Sequence, residues 1–131
     1  MDNQNEKVVY WLELSEYDLR TADAMLETGR YLYVGFMCHQ VVEKALKAYH
    51  AAHKELQPPY THNLSRLATL SGLYESFTET QKDLLDTLEP LNIEARYPTH
   101  KQTLQQSLNH ERCANLIRQT KEFFAWIQSK L

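Results

Sequence analysis

The stretch that decides the fold is "YLYVGFMCHQVVEKALKAYHAAHK", residues 31–54. Val34, Cys38, Val41, Ala45, Ala48 and Ala52 recur every third or fourth position, and Met37, Val42, Leu46 and Tyr49 widen that stripe. Apolar residues at this spacing share one side of an α-helix, whereas a half-buried strand would alternate. The spacing predicts a helix from Tyr31 to about Lys54. His39, Gln40, Glu43, Lys47 and His50 fall on the opposite arc, with Lys44 at its edge. His39, Glu43 and Lys47 stand at i, i+4 and i+8, so the charges form a stripe of their own and do not interrupt the apolar one. Phe36 lies in the same polar arc. Two readings follow. The stripe is solvated, and Glu43–Lys47 is an ordinary i,i+4 pair worth about 0.3 kcal/mol. Or it is a second covered surface, facing another helix of the chain or a second subunit.

Upstream, Val8, Trp11, Leu12, Ser15, Leu19, Ala22, Met25 and Leu26 predict a first helix over about Glu6–Thr28, stopped by Gly29. Two long helices joined by so short a turn make an antiparallel hairpin. Downstream, "ELQPPYTH" is a loop, since adjacent prolines cannot continue a helix. Thr61 or Asn63 can cap a short third helix with Leu64, Leu67, Ala68 and Leu70 on one side, ending near Gly72. Thr78 and Gln81 form a capping box, with Phe77 as a hydrophobic staple, ahead of a fourth helix carrying Leu84, Leu85, Leu88, Leu91 and Ala95. Pro90 should kink or divide it. "RYPTHKQ" reads as loop. A last helix begins between Leu104 and Asn109 and runs almost to Leu131, with Cys113, Leu116, Ile117, Thr120, Phe124 and Ile127 inward. The expected fold class is all-α, an up-and-down bundle of four to five helices in a single domain over residues 1–131.

Composition narrows the function. A chain of 131 residues with 43% hydrophobic residues can bury a real core, and three Gly with four Pro leave few breaks between long helices. A net charge of −3 argues against nucleic-acid binding by bulk charge. No apolar run approaches a membrane span, and "MDNQNEK" lacks the basic and apolar parts of a secretory signal, so a cytoplasmic protein without membrane contact is expected. Cys38 and Cys113 read as reduced, buried residues. His50, His53 and His62 raise a zinc site, but no acidic or Cys ligand has diagnostic spacing, and the expectation is no metal and no cofactor. His62 is expected to order the loop before the third helix instead. A second constellation, "EARYPTH", gathers Glu94, Arg96, Tyr97 and His100 around a proline. Arg supplies a planar fork of donors for phosphate, His can act as acid or base, and Tyr can stack on a base. Its alternative is a helix-end loop whose Arg caps carbonyls or pairs with Glu43.

These pieces together resemble the HEPN family, the helical nucleotide-binding domain of higher eukaryotes and prokaryotes. The likeness is carried by "WLELSEYDLRTADAML", by "GRYLYVGFMCHQVVEKALKAYH" with "HQVVEKALKA" at its heart, by "THNLSRL" and by "EARYP". The resemblance implies a homodimer with helices pairing across a shared groove, and ligand-binding positions at Gln40, Glu43, Lys44, Lys47, Arg96 and Tyr97. Small free-standing members are often paired with a minimal nucleotidyltransferase, as the two halves of a toxin–antitoxin-type system. They are thought to bind nucleotide or to help hold that enzyme's substrate. Other members are metal-independent RNA-cutting toxins in which Arg is followed, after four to six residues, by His. Here Arg96 and His100 are separated by three residues, "YPT", and Gln102 stands where those toxins carry Tyr. The expectation is therefore a protein that is non-catalytic by itself and binds a nucleotide or a nucleotidyltransferase partner. The alternatives are an RNase acting through Arg96 and His100 across a dimer cleft, and a helical scaffold dimer without a small ligand.

Overall fold

A computed structural model describes residues 3–54, 57–93 and 107–131. Among them run five α-helices: α1 (Asn3–Glu27), α2 (Tyr31–His53), α3 (Leu64–Leu70), α4 (Glu79–Ile93) and α5 (His110–Lys130), with a short 3-10 turn at Tyr74–Ser76. The described residues contain no strand. The all-α expectation holds.

The chain reverses between α1 and α2 through Gly29, whose φ of 72° is open to glycine and strained for other residues. The Arg30 amide donates to Met25 O at 2.8 Å and the Gly29 amide to Leu26 O at 3.1 Å, the paired bonds of a Schellman motif. Gly72, at φ 82°, ends α3 in the same way, with Leu73 N bonded to Ala68 O at 2.9 Å. Side chains cap the other ends as their types predict. Asn63 accepts from Arg66 N ahead of α3, and Asn109 accepts from Arg112 N ahead of α5. Thr78 and Gln81 exchange reciprocal bonds of 2.8 and 3.1 Å ahead of α4.

Helix α2 is the centre of the bundle and packs on α1, α3, α4 and α5, most extensively on α1. Its stripe of Val34, Cys38, Val41, Ala45 and Ala48 has no exposed surface, and Ala22, Leu88, Cys113, Leu116, Ile117 and Ile127 join it in one core. Small residues let the backbones approach. Ser15 is fully buried and donates to Val41 O at 2.7 Å, tying α1 to α2 by a backbone carbonyl. Against α4, a Cβ at Gly35 would stand 2.8 Å from Leu91 Cδ1. Burial of the two thiols in this core pushes Cys38 up to about 12 and Cys113 up to about 11, so both are unreactive packing residues.

Of the two outcomes expected at Pro90, a kink or a division, the helix is not divided: α4 runs through Pro90 to Ile93. Three expectations need correction. Leu70 is 43% exposed rather than inward, because α3 is only two turns long and Leu64, Leu67 and Ala68 suffice to bury its inner side. Phe77 stacks edge-on against Phe123 and Trp126 at 5.5 and 5.7 Å rather than stapling α4 to itself, since the residue one turn into α4 is Lys82, set over the Tyr74 ring. Phe123, absent from the expected inner stripe of α5, is 2% exposed and belongs to it. Ala95 and the segment before Ser107 lie outside the described residues.

Candidate functional site

The polar face of α2 is not solvated. His39 has no exposed surface, Glu43 keeps 3% of its own and Lys47 9%. Covering comes from the same chain. At one end stands Trp11 of α1, whose ring centroid lies 5.2 Å from Lys47 Nζ, close enough for a cation–π contact. At the other stand Glu89 and Asn92, near the C-terminal end of α4. The loop ahead of α3 closes the side.

Glu43 is the hub. Its Oε2 accepts from Lys47 Nζ at 3.0 Å, and His62 Nδ1 lies 3.0 and 3.1 Å from its two carboxylate oxygens. A carboxylate only accepts, so His62 carries its proton on Nδ1. His62 itself is 57% exposed, so it forms the outer edge of an otherwise buried cluster. It orders the loop before α3, as expected from the sequence. Glu89 performs the parallel task from α4. Its Oε1 accepts from Leu64 N, the first residue of α3, at 2.9 Å, which satisfies one of that helix's orphan donors. Its Oε2 faces His39 Nε2 at 3.4 Å. A proton on Nε2 leaves His39 Nδ1 as a bare lone pair 3.7 Å from Glu43, and that nitrogen has no hydrogen bond among the described residues. Burial holds His39 below its ordinary range in spite of the two neighbouring carboxylates, so its ring is neutral at pH 7. His50, one turn beyond Lys47, is likewise held down, first by burial and then by Lys54.

Two flanking residues also have partners. Gln40 Nε2 donates to Asn92 Oδ1 at 3.0 Å, and Lys44 is paired with Asp18 of α1. The structure therefore brings together Gln40, Glu43, Lys44 and Lys47 along α2, each anchored to a neighbour. Arg96, Tyr97 and His100 lie outside the described residues, as does Glu94. Sequence reasoning missed Asp18, Glu89 and Asn92 as members of the cluster. Nothing in their local spacing marks them, for they meet α2 only through tertiary packing, 26, 50 and 52 residues away in sequence.

Among the described residues no group of three or more His, Cys, Asp or Glu could hold a metal ion. His53, one of the three histidines raised for zinc, stacks on Tyr49 at 4.2 Å and bonds Lys130 O. Among the described residues no helix is long and apolar enough to cross a membrane.

An α2 buried on two chemically different faces, flanked by α1 and α4 and followed by a capped short α3, defines a class of helical domain. Residues 8–130 match the HEPN domain family, and the chain belongs to it. No curated protein matches the chain. In fold it is similar to the crystal structure of TT1696 from Thermus thermophilus, with a TM-score of 0.79 and 24% identity, the match covering 95% of this chain and 98% of that one.

Proposed function

We propose that this HEPN-family protein is non-catalytic by itself and acts by binding, as a homodimer, a nucleotide or a minimal nucleotidyltransferase partner of a toxin–antitoxin-type system. The observation that carries this reading is the Gln40–Asn92 bond. It fastens the polar face of α2 to the end of α4, and Arg96 and Tyr97 follow Asn92 by four and five residues in the chain. In this reading Arg96 meets phosphate and Tyr97 stacks on or positions the ligand. Of the two lysines, Lys44 is the freer, 20% exposed at its side chain against 11% for Lys47, and can turn from Asp18 toward an anion. Lys47 stays with Glu43 and lends charge from within. The three-residue gap between Arg96 and His100 favours binding over cleavage.

The test is thermal unfolding of the pure protein with and without adenine nucleotides. A rise in Tm that disappears in Arg96→Ala supports the reading, and mass spectrometry of co-purified molecules identifies the ligand or partner. RNA cut by the metal-free protein, and spared by His100→Ala, would replace it with the RNase reading. No shift, no partner and intact RNA would leave a scaffold.

A further inference from the structure

Helices α4 and α5 touch only sparingly, and between the first turns of α4 and the middle of α5 lies a pocket of about 370 Å³. Cavities of that size hold small molecules. Its floor is apolar and fixed. Leu84 and Phe123 are buried there, and the Trp126 ring is held by its neighbours, with centroids 5.7 Å from Phe77 and 6.2 Å from Phe123. Its rim is charged. Arg118 and Glu122 line it, both exposed, and Arg118 Nη1 donates to Glu122 Oε1 at 2.7 Å. Gln81 joins the rim from α4; its Oε1 accepts from Thr78 N, which leaves its NH2 group as a donor. No residue of this pocket belongs to the polar face of α2.

We infer that this pocket binds a free α-amino acid with a large, uncharged apolar side chain. The order of groups along α5 carries the inference. Arg118, Glu122 and Trp126 stand at i, i+4 and i+8, so they form one row on the helix. A cation and an anion in contact are followed, about 6 Å further along the axis, by an indole. An α-amino acid carries the complementary set in the same order: carboxylate and ammonium on one carbon, then the apolar group. Its carboxylate meets the Arg118 fork, its ammonium meets Glu122, and its side chain lies on Leu84, Phe123 and Trp126. A simple anion finds Arg118 already neutralised by Glu122, and a simple cation finds Glu122 neutralised by Arg118. A ligand bearing both charges engages the pair and strands neither partner. The pair is exposed, so opening it costs little. Beyond Trp126 in the same row, Lys130 Nζ lies 5.2 Å from the indole centroid, which sets a positive charge where the ligand's side chain ends and disfavours a lysine or arginine there. The inference stands apart from the nucleotide reading.

Isothermal titration calorimetry of the full chain with L-phenylalanine and L-leucine tests it. Both are expected to bind at one site per chain, and glycine and L-lysine to bind at least about tenfold more weakly. Phenylalaninamide lacks the carboxylate and 3-phenylpropionate the ammonium, and each should also lose about tenfold or more. On the protein, Arg118→Ala and Glu122→Gln should each weaken L-phenylalanine by about the same factor. Both side chains are exposed, so far-UV spectra and melting curves should stay in place and the loss reports on the pocket. Absence of binding by both amino acids up to millimolar concentration overturns the inference. So does binding that is indifferent to both substitutions, which places the ligand elsewhere. Equal affinity for 3-phenylpropionate or for glycine overturns it as well, since either result removes the match between ligand and row.

Discussion

On one side of α2, Val34, Val41, Ala45 and Ala48 have purely hydrocarbon side chains and no exposed surface. On the other, His39, Glu43 and Lys47 are almost as dry, yet each needs a specific partner to be so. The apolar side gains from water release and tolerates any neighbour of the right volume. The polar side gains little net free energy from its ion pair, because desolvation offsets attraction, but it fixes who sits opposite: His62 on the loop, Glu89 on α4 and Trp11 on α1. One face supplies stability and the other register.

That contrast can be broken by substitution. Leu46→Ala, at a site with no exposed surface, should cost about 4 kcal/mol in urea unfolding. Glu43→Ala should cost about 3 kcal/mol, because Lys47 is left buried without its carboxylate. The decisive comparison is Glu43→Met/Lys47→Met: removing both charges should restore stability to within about 1 kcal/mol of wild type, while abolishing any nucleotide-dependent rise in Tm. Stability that stays low in the double variant would mean the pair is a structural necessity and not a register or ligand device.

Acid sharpens the contrast next. His39 is held below the ordinary value of 6.5 by burial, and His50 shifts the same way. Above about 6.5 both rings are neutral in the folded and unfolded chains, so they add no pH slope. Below it the unfolded chain takes up protons that the native one resists, so Tm should fall as pH drops from 6.5 toward the depressed native values. His39→Gln should flatten that part of the curve. Smallest should be His62→Ala, about 0.5 kcal/mol, since that ring is more than half exposed and its bond to Glu43 is screened by solvent. Its effect should be concentrated in hydrogen exchange at the start of α3.

What could be read without coordinates follows from what is local. The α2 stripe, the Gly29 turn, the Asn63 cap and the Thr78–Gln81 box each depend on residues within a few positions, and each stands as expected. A helical wheel says which residues share a face but not what lies opposite, so the Glu43–Lys47 stripe could be read as wet or covered. The answer came from Trp11, His62 and Glu89, brought in from elsewhere in the chain. Leu70 failed for the complementary reason: a two-turn helix has more apolar residues than its contact surface can cover. The same limit applies to the lysines. Spacing marks Lys44 as a cation but not that Asp18 already holds it.

The turn at Gly29 has a kinetic consequence. It joins the two helices that share the largest contact surface in the bundle, and these are also neighbours in sequence. Closing so short a loop forfeits little chain entropy, so the α1–α2 hairpin should assemble in the rate-limiting step, before the C-terminal helix docks. Ser15→Gly would then slow refolding, whereas Ile127→Val would chiefly hasten unfolding. On a ribosome, that order would let the first half of the polypeptide condense while its last helix is still being synthesised.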